Sequence, residues 1–164
     1  MIMQLNYNWK KGIFSESYKI FNNKTQVGNL SNKSFSQTAR GELNQEKYTF
    51  KTCGVFKQHT QIIENSENKI IGEITYNNWM NKATININGQ QFYLKYDNIW
   101  NTKWSIYGLN ETQISYNSST STGQIQSNTD NQLLILSGLF VANYYLQMTL
   151  AVLLIVFIPI LVRH

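Results

Sequence analysis

One cysteine, one proline and two histidines are all of each that 164 residues contain. A lone thiol, Cys53, excludes an internal disulfide framework and suits a reducing compartment. Pro159 is the single proline, and no Gly/Ser-rich linker divides residues 1–128, so the chain reads as one folded unit followed by a tail. His59 and the C-terminal His164 leave too few ligands at usable spacing for a metal centre. Cys53 and His59 stand six positions apart, but strand alternation puts them on one face only if no turn intervenes. They read as a small buried thiol and a surface imidazole rather than a nucleophile and its base. There is no Gly-rich phosphate loop, no Gly-x-Ser-x-Gly turn and no paired carboxylates at a useful spacing. No catalytic residue and no cofactor is expected, and the chain reads as a non-enzyme.

A secretory signal is lacking too. Asn6, Asn8, Lys10 and Lys11 interrupt every short apolar run at the start, so the main domain is expected in the cytoplasm. Several Asn-x-Ser/Thr triplets, such as those at Asn23 and Asn110, then reflect an Asn-rich composition rather than glycosylation.

What the chain does have is period-2 alternation. In Ala83 to Tyr96, Ile85 and Ile87 share one face, Asn88-Gly89 supplies the positive φ that a type I′ hairpin needs, and Phe92, Leu94 and Tyr96 continue the inward face. Similar hairpins flank Asn22-Asn23-Lys24, residues 65–68 and Asn110-Glu111. Further strands are expected at Gly41 to Leu43, Lys47 to Thr52 and Thr122 to Gln126. The phrase of strand, polar Asn turn and Gly-bearing strand recurs in 19–28 and 61–72, a loose internal repeat of hairpins. Ten to twelve short strands and no amphipathic helix before residue 130 predict a mainly β domain, a sandwich or a barrel.

The tail breaks this pattern. From Leu133 to Val162 no residue is charged, and a helix of that length would run roughly 45 Å at ~1.5 Å per residue, beyond a ~30 Å hydrocarbon core. Asn143, Tyr144, Tyr145 and Gln147 interrupt it, and a single span centred on the run would bury their polar groups at the bilayer midplane. The expected register encloses residues up to 143 in the domain and sends 144–162 across the membrane. Tyr144 and Tyr145 would form an aromatic belt, with Arg163 snorkelling at the far side.

Consecutive hairpins ending in one long apolar helix opened by an acidic residue, here Asp130, resemble the tubby C-terminal-like superfamily, which includes phospholipid scramblases and LURP-one-related proteins. The residues carrying the likeness are Tyr18 to Leu30, Phe50 to Gly72, Ala83 to Tyr96, Trp104 to Tyr116 and the helix from Asp130. The resemblance implies a closed antiparallel β-barrel of about twelve strands threaded by the C-terminal helix. On that reading residues 1–129 are the barrel, 130–143 the enclosed helix and 144–164 a hydrophobic extension serving as membrane anchor. It also implies membrane association and binding to phospholipid. The Ca²⁺ segment of scramblases needs clustered acids, and the chain's aspartates, Asp97 and Asp130, are far apart, so no site residue is carried over.

Charge adds a partner expectation. Residues 1–60 hold nine Lys/Arg against three acids and residues 61–164 hold five against six, so the basic N-terminal half reads either as lysines scattered over solvated strand faces or as a patch drawn to an anionic surface, lipid headgroups or nucleic acid, and the partner expected is anionic phospholipid. Trp9, Lys10 and Lys11 are the expected membrane-contact cluster, together with Tyr144, Tyr145 and Arg163. The four tryptophans, Trp9, Trp79, Trp100 and Trp104, would suit a nucleic-acid platform, but in an all-β chain they read as core filling or as a girdle at barrel ends. No nucleic-acid partner is expected. The competing reading is a soluble structural or interaction module whose tail is a core helix plus a partner-binding segment.

Overall fold

The computed structural model describes residues 4–162 apart from 13–14, 16, 34 and 55–57, and apart from the side chain of Leu161. Twelve strands and one helix follow in order: β1 (Leu5–Lys11), β2 (Ser17–Asn22), β3 (Thr25–Asn32), β4 (Thr38–Leu43), β5 (Glu46–Cys53), β6 (His59–Glu64), β7 (Lys69–Tyr76), β8 (Lys82–Ile87), β9 (Gln90–Tyr96), β10 (Lys103–Gly108), β11 (Gln113–Ser118), β12 (Thr122–Ser127) and α1 (Gln132–Val162). Every strand pairs antiparallel with its neighbour in sequence. β1 then closes the sheet on β12, with Tyr7 opposite Ile125 and Trp9 opposite Gly123. The expected fold class, a closed antiparallel barrel with a C-terminal helix, is the one found.

Local chemistry explains the up-and-down path. Asn88 (φ 49°) and Gly89 (φ 82°) make the left-handed pair that a two-residue hairpin requires, and Asn44-Gln45 and Asn110-Glu111 also have positive φ at both positions. The two repeat phrases fold alike: β2–β3 and β6–β7 each shift register by one residue beside a glycine, Gly28 opposite Ile20 and Gly72 opposite Ile62. These bulges tighten twist, which helps a sheet of short strands close on itself. Strand β1 is not among the expected strands. Its alternation of Leu5, Tyr7 and Trp9 with Asn6, Asn8 and Lys10 is nonetheless regular, and Tyr7 and Trp9 are buried.

Closure leaves an interior that must be filled, and α1 fills it. The side chain of Asn131, not Asp130, opens the helix: its Oδ1 accepts from the Leu134 amide at 2.9 Å, while Asp130 is exposed. From Leu133 to Val141 every residue is buried, so the helix is enclosed all round. Each fully buried Leu, Ile or Phe in this stretch contributes about 1.5–3 kcal/mol. Phe140 stacks on Phe50 with ring centroids 4.5 Å apart. Gly138 permits a close approach of helix to barrel wall: a Cβ there would overlap the Tyr116 ring, and its carbonyl accepts from Trp104 Nε1 at 3.1 Å. Tyr116 and Trp104 stack on each other as one wall of this contact, and the Tyr116 hydroxyl donates to the Ile135 carbonyl at 3.0 Å.

Candidate functional site at the helix exit

Because the strands run up and down, the connections β1–β2, β3–β4, β5–β6, β7–β8, β9–β10 and β11–β12 share one end of the barrel. The helix enters through the opposite, far end, after β12, and leaves through this one. Its departure is tied down on several sides. Asn143 is buried, and its Oδ1 accepts from Lys11 Nζ at 2.8 Å and from the Tyr18 hydroxyl at 3.3 Å. The Lys11 ammonium also sits 4.7 Å from the Tyr18 ring centroid, and burial lowers its pKa. Burial raises the Tyr18 phenol, with the neighbouring Tyr96 adding to it. Tyr144 stacks on Tyr76 at 4.1 Å and donates its hydroxyl to Gln58 Oε1. Tyr145 is 3% exposed, donates to the Lys82 carbonyl and meets Tyr76 edge-on.

The enclosed stretch therefore reaches Tyr145, two residues beyond the expected 143. Tyr144 and Tyr145 pack against barrel residues at the mouth, in an aromatic collar with Tyr76 and Tyr96. From Leu146 outward the helix changes character: all large apolar residues with described side chains from Leu150 to Val162 are exposed. Length and composition allow Gln132–Ile160 as a membrane-crossing candidate, yet its first half is occupied with the barrel. The seventeen residues from Leu146 to Val162, about 25 Å at ~1.5 Å per residue, are what remains free.

The Trp9-Lys10-Lys11 cluster does not face one surface. Alternation sends Trp9 and Lys11 inward and Lys10 outward: Trp9 is 5% exposed, edge-on to Tyr18, while Lys10 is exposed above the Phe21 ring. Trp9 is a core residue packed against Gly123, which has room only because it lacks a Cβ. Arg163 lies outside the described residues.

Folding also redistributes charge, from chain halves to barrel ends. The exit half of each strand, with its connections, carries Lys10, Lys11, Lys19, Lys33, Arg40, Lys51, Lys82, Lys95 and Lys103 against Glu73 and Asp97. The other half carries Lys24, Lys47 and Lys69 against Glu42, Glu46, Glu64, Glu67, Glu111 and Asp130. Among the described residues the exit end is thus nine cations to two acids, and the far end three to six. Pairing removes little of this, since Lys95 and Asp97 approach only to 4.0 Å on a solvated rim.

A groove of about 560 Å³ opens beside the exit, between the helix and β6–β8, with Tyr76, Tyr144, Tyr145, Met80 and Met148 on its apolar side and His59 and Glu73 on its polar side. His59 is opposite Cys53 in the β5–β6 register, and its Nε2 lies 3.7 Å from Glu73 Oε1. The Cys53 thiol is directed instead to the Lys51 carbonyl at 3.7 Å. Among the described residues no three His, Cys, Asp or Glu side chains gather as a metal site would require.

The fold and exit define a class, a twelve-stranded antiparallel barrel threaded lengthwise by an apolar helix that continues beyond it. No protein-family model, curated protein or solved structure matches the chain.

Proposed function

We propose that this protein is a non-enzymatic, membrane-associated barrel of the tubby and phospholipid-scramblase type, anchored by Leu146–Val162 and holding its basic end against anionic phospholipid. One observation carries the reading. The helix passes from an enclosure that buries it all round to a stretch with no polar face, without a linker between them. Water offers such a surface nothing, whereas hydrocarbon accepts it on every side. The basic end supports the lipid component, because each Lys or Arg near an anionic leaflet contributes about 1 kcal/mol. It also supports a cytoplasmic barrel, since cations flanking a span favour that side. The element order supports the tubby likeness, and lipid scrambling has no residue of this chain behind it.

Carbonate extraction of the membrane fraction tests the anchor, and full release of the protein counts against it. Flotation with neutral and with acidic vesicles tests the charge component: equal binding to both would remove anionic lipid from the reading. A monodisperse full-length protein without detergent would favour a soluble module whose tail is covered by a partner.

A further inference from the structure

The exit rim carries a second, separate feature: its connections present large apolar side chains to solvent. Phe35 in β3–β4, Trp79 in β7–β8, and Ile99 and Trp100 in β9–β10 are 62%, 86%, 89% and 78% exposed. Three of the four exit-end connections with described tips are of this kind; the fourth, Ser119 to Ser121, is polar. The far-end turns are Asn-rich, with Leu109 as their exposed large apolar residue among the described ones and Ile70 exposed at the start of β7.

Two of the rim connections are the same device built twice. In Asn77-Asn78-Trp79-Met80-Asn81-Lys82 the first Asn accepts with Oδ1 from the amides of Asn81 and Lys82, at 3.1 and 3.0 Å, and donates with Nδ2 to Asn81 Oδ1. In Asn98-Ile99-Trp100-Asn101-Thr102-Lys103 the first Asn accepts from the amides of Thr102 and Lys103, at 3.0 and 3.1 Å, and donates to Thr102 Oγ1. The fourth residue of each, Met80 and Asn101, has positive φ. Each loop is therefore closed by its own asparagine, holds a tryptophan outward at its third position and ends in a lysine. A preorganised loop that exposes an indole in water gains nothing from hydration of that ring; the arrangement fits an indole-binding environment next to cation-binding groups.

The helix fixes what that environment is. Tyr145 is locked inside the mouth, so the free span starts at once, and about 25 Å of helix is shorter than a ~30 Å hydrocarbon core. A barrel standing off the bilayer would pull the span out of register. The rim must then rest at the headgroup layer, where Trp side chains with Lys neighbours are at home. Resting on the anchor reading above, we propose that the exit rim is itself a bilayer-docking surface. Trp79, Ile99, Trp100 and Phe35 enter the interfacial layer of the membrane that the helix crosses, and the barrel sits mouth down.

The test uses the full chain in phosphatidylcholine and phosphatidylserine vesicles whose acyl chains carry bromine at a shallow or a deep position, and it reads tryptophan fluorescence. Trp9 and Trp104 are buried in the barrel and serve as internal references. Shallow bromine is expected to quench the wild type more than deep bromine. Trp79→Ser with Trp100→Ser is expected to lose most of the quenchable emission, with circular dichroism unchanged. An anchored protein, resistant to carbonate but blind to shallow bromine, overturns the docking and leaves the anchor standing. Quenching in a protein that carbonate releases keeps the docking and overturns the anchor. Rim tryptophans shielded already in lipid-free solution, in a particle of twice the mass, would mean that a second copy covers the rim, and would overturn the proposal.

Discussion

One helix is enclosed by the barrel for its first half and exposed outside it for its second, and the two halves differ in composition and contacts. Gln132–Tyr145 is enclosed by strands and includes Ser137, Gly138, Ala142 and Asn143 among its aliphatics. Leu146–Val162 is nearly uninterrupted aliphatic. In the first half Ser137, Gly138 and Asn143 each have an assignment. Ser137 donates back to the Leu133 carbonyl at 2.8 Å, Gly138 admits Tyr116 and Trp104, and Asn143 accepts from Lys11 and Tyr18. Beyond the collar, among the described residues, only Thr149 makes such a bond, to the Tyr145 carbonyl just behind it. A barrel interior demands shape and paired polar atoms, while lipid asks only that side chains be apolar.

A charge distinguishes the halves most sharply. Leu136→Lys places an unpaired ammonium inside the barrel and is expected to cost at least several kcal/mol, enough to unfold a domain of this size. Leu154→Lys is expected to leave thermal unfolding of the barrel unchanged while costing about 3 kcal/mol of membrane insertion. Circular dichroism melts and carbonate extraction on both variants read the two effects separately. Equal loss of barrel stability from both would erase the division.

Shape gives the next contrast. Gly138→Ala drives a methyl into the Tyr116 ring and is expected to destabilise by about 1–3 kcal/mol, because the stacked Trp104 leaves no room to retreat. Val152→Ala, on the free half, should leave the barrel's denaturation midpoint unmoved. A Gly138→Ala protein as stable as the wild type would mean that the helix seats more loosely than the contacts say.

Much of this division was legible in the sequence, because Asn143 is a polar atom that hydrocarbon would leave unpaired and that a protein interior can pair. The hairpins were legible from backbone chemistry: Asn88, Gly89 and Asn110 are residue types that tolerate positive φ. The partner of Asn143 was not legible, since Lys11 reaches it across 132 positions of chain and only barrel closure brings them together. Trp9 was misplaced for a related reason. Reading Trp9, Lys10 and Lys11 as a patch ignores that a strand sends neighbours to opposite faces. The exit rim left a trace that went unused. In an up-and-down barrel every second connection shares an end, so Phe35, Trp79 and Trp100 fall together once the hairpins are counted. The charge sorting follows from the same parity, which a division of the chain into halves at residue 60 hides.

The clasp at the exit sharpens the comparison at smaller scale. Asn143→Leu leaves the Lys11 ammonium half-buried with its acceptor gone, and a loss of about 1–2 kcal/mol is expected. Adding Lys11→Met removes the stranded charge, so the double variant should recover part of that loss, the remainder being the Tyr18 hydroxyl, which also donated to Asn143 and is left without its acceptor. Urea denaturation of the two single variants and the double closes the cycle. Losses that simply add would show that the two side chains do not act on each other.

The gentlest contrast is in pH. Burial pushes the Tyr96 phenol up to about 12 from an ordinary 10.0, and the ring lies edge-on to Trp104 and near Tyr145 in the collar. Above pH 10 the unfolded chain releases that proton while the folded one keeps it, so the folded state binds more protons and stability falls as pH rises. For Tyr96 alone the loss is about 0.4 kcal/mol at pH 10, growing toward ~1.4 kcal/mol per pH unit until the folded phenol titrates near 12. Tyr18 and Tyr116, shifted in the same direction, add to the slope on the enclosed half. The free half from Leu146 to Val162 has no titratable side chain, so on the anchor reading proposed above its membrane association should not change over this pH range. Tyr96→Phe keeps the ring contacts and removes one proton from the balance, so its alkaline denaturation profile is expected to be shallower than that of the wild type. An unchanged profile would mean that the Tyr96 hydroxyl already reaches solvent in the folded collar.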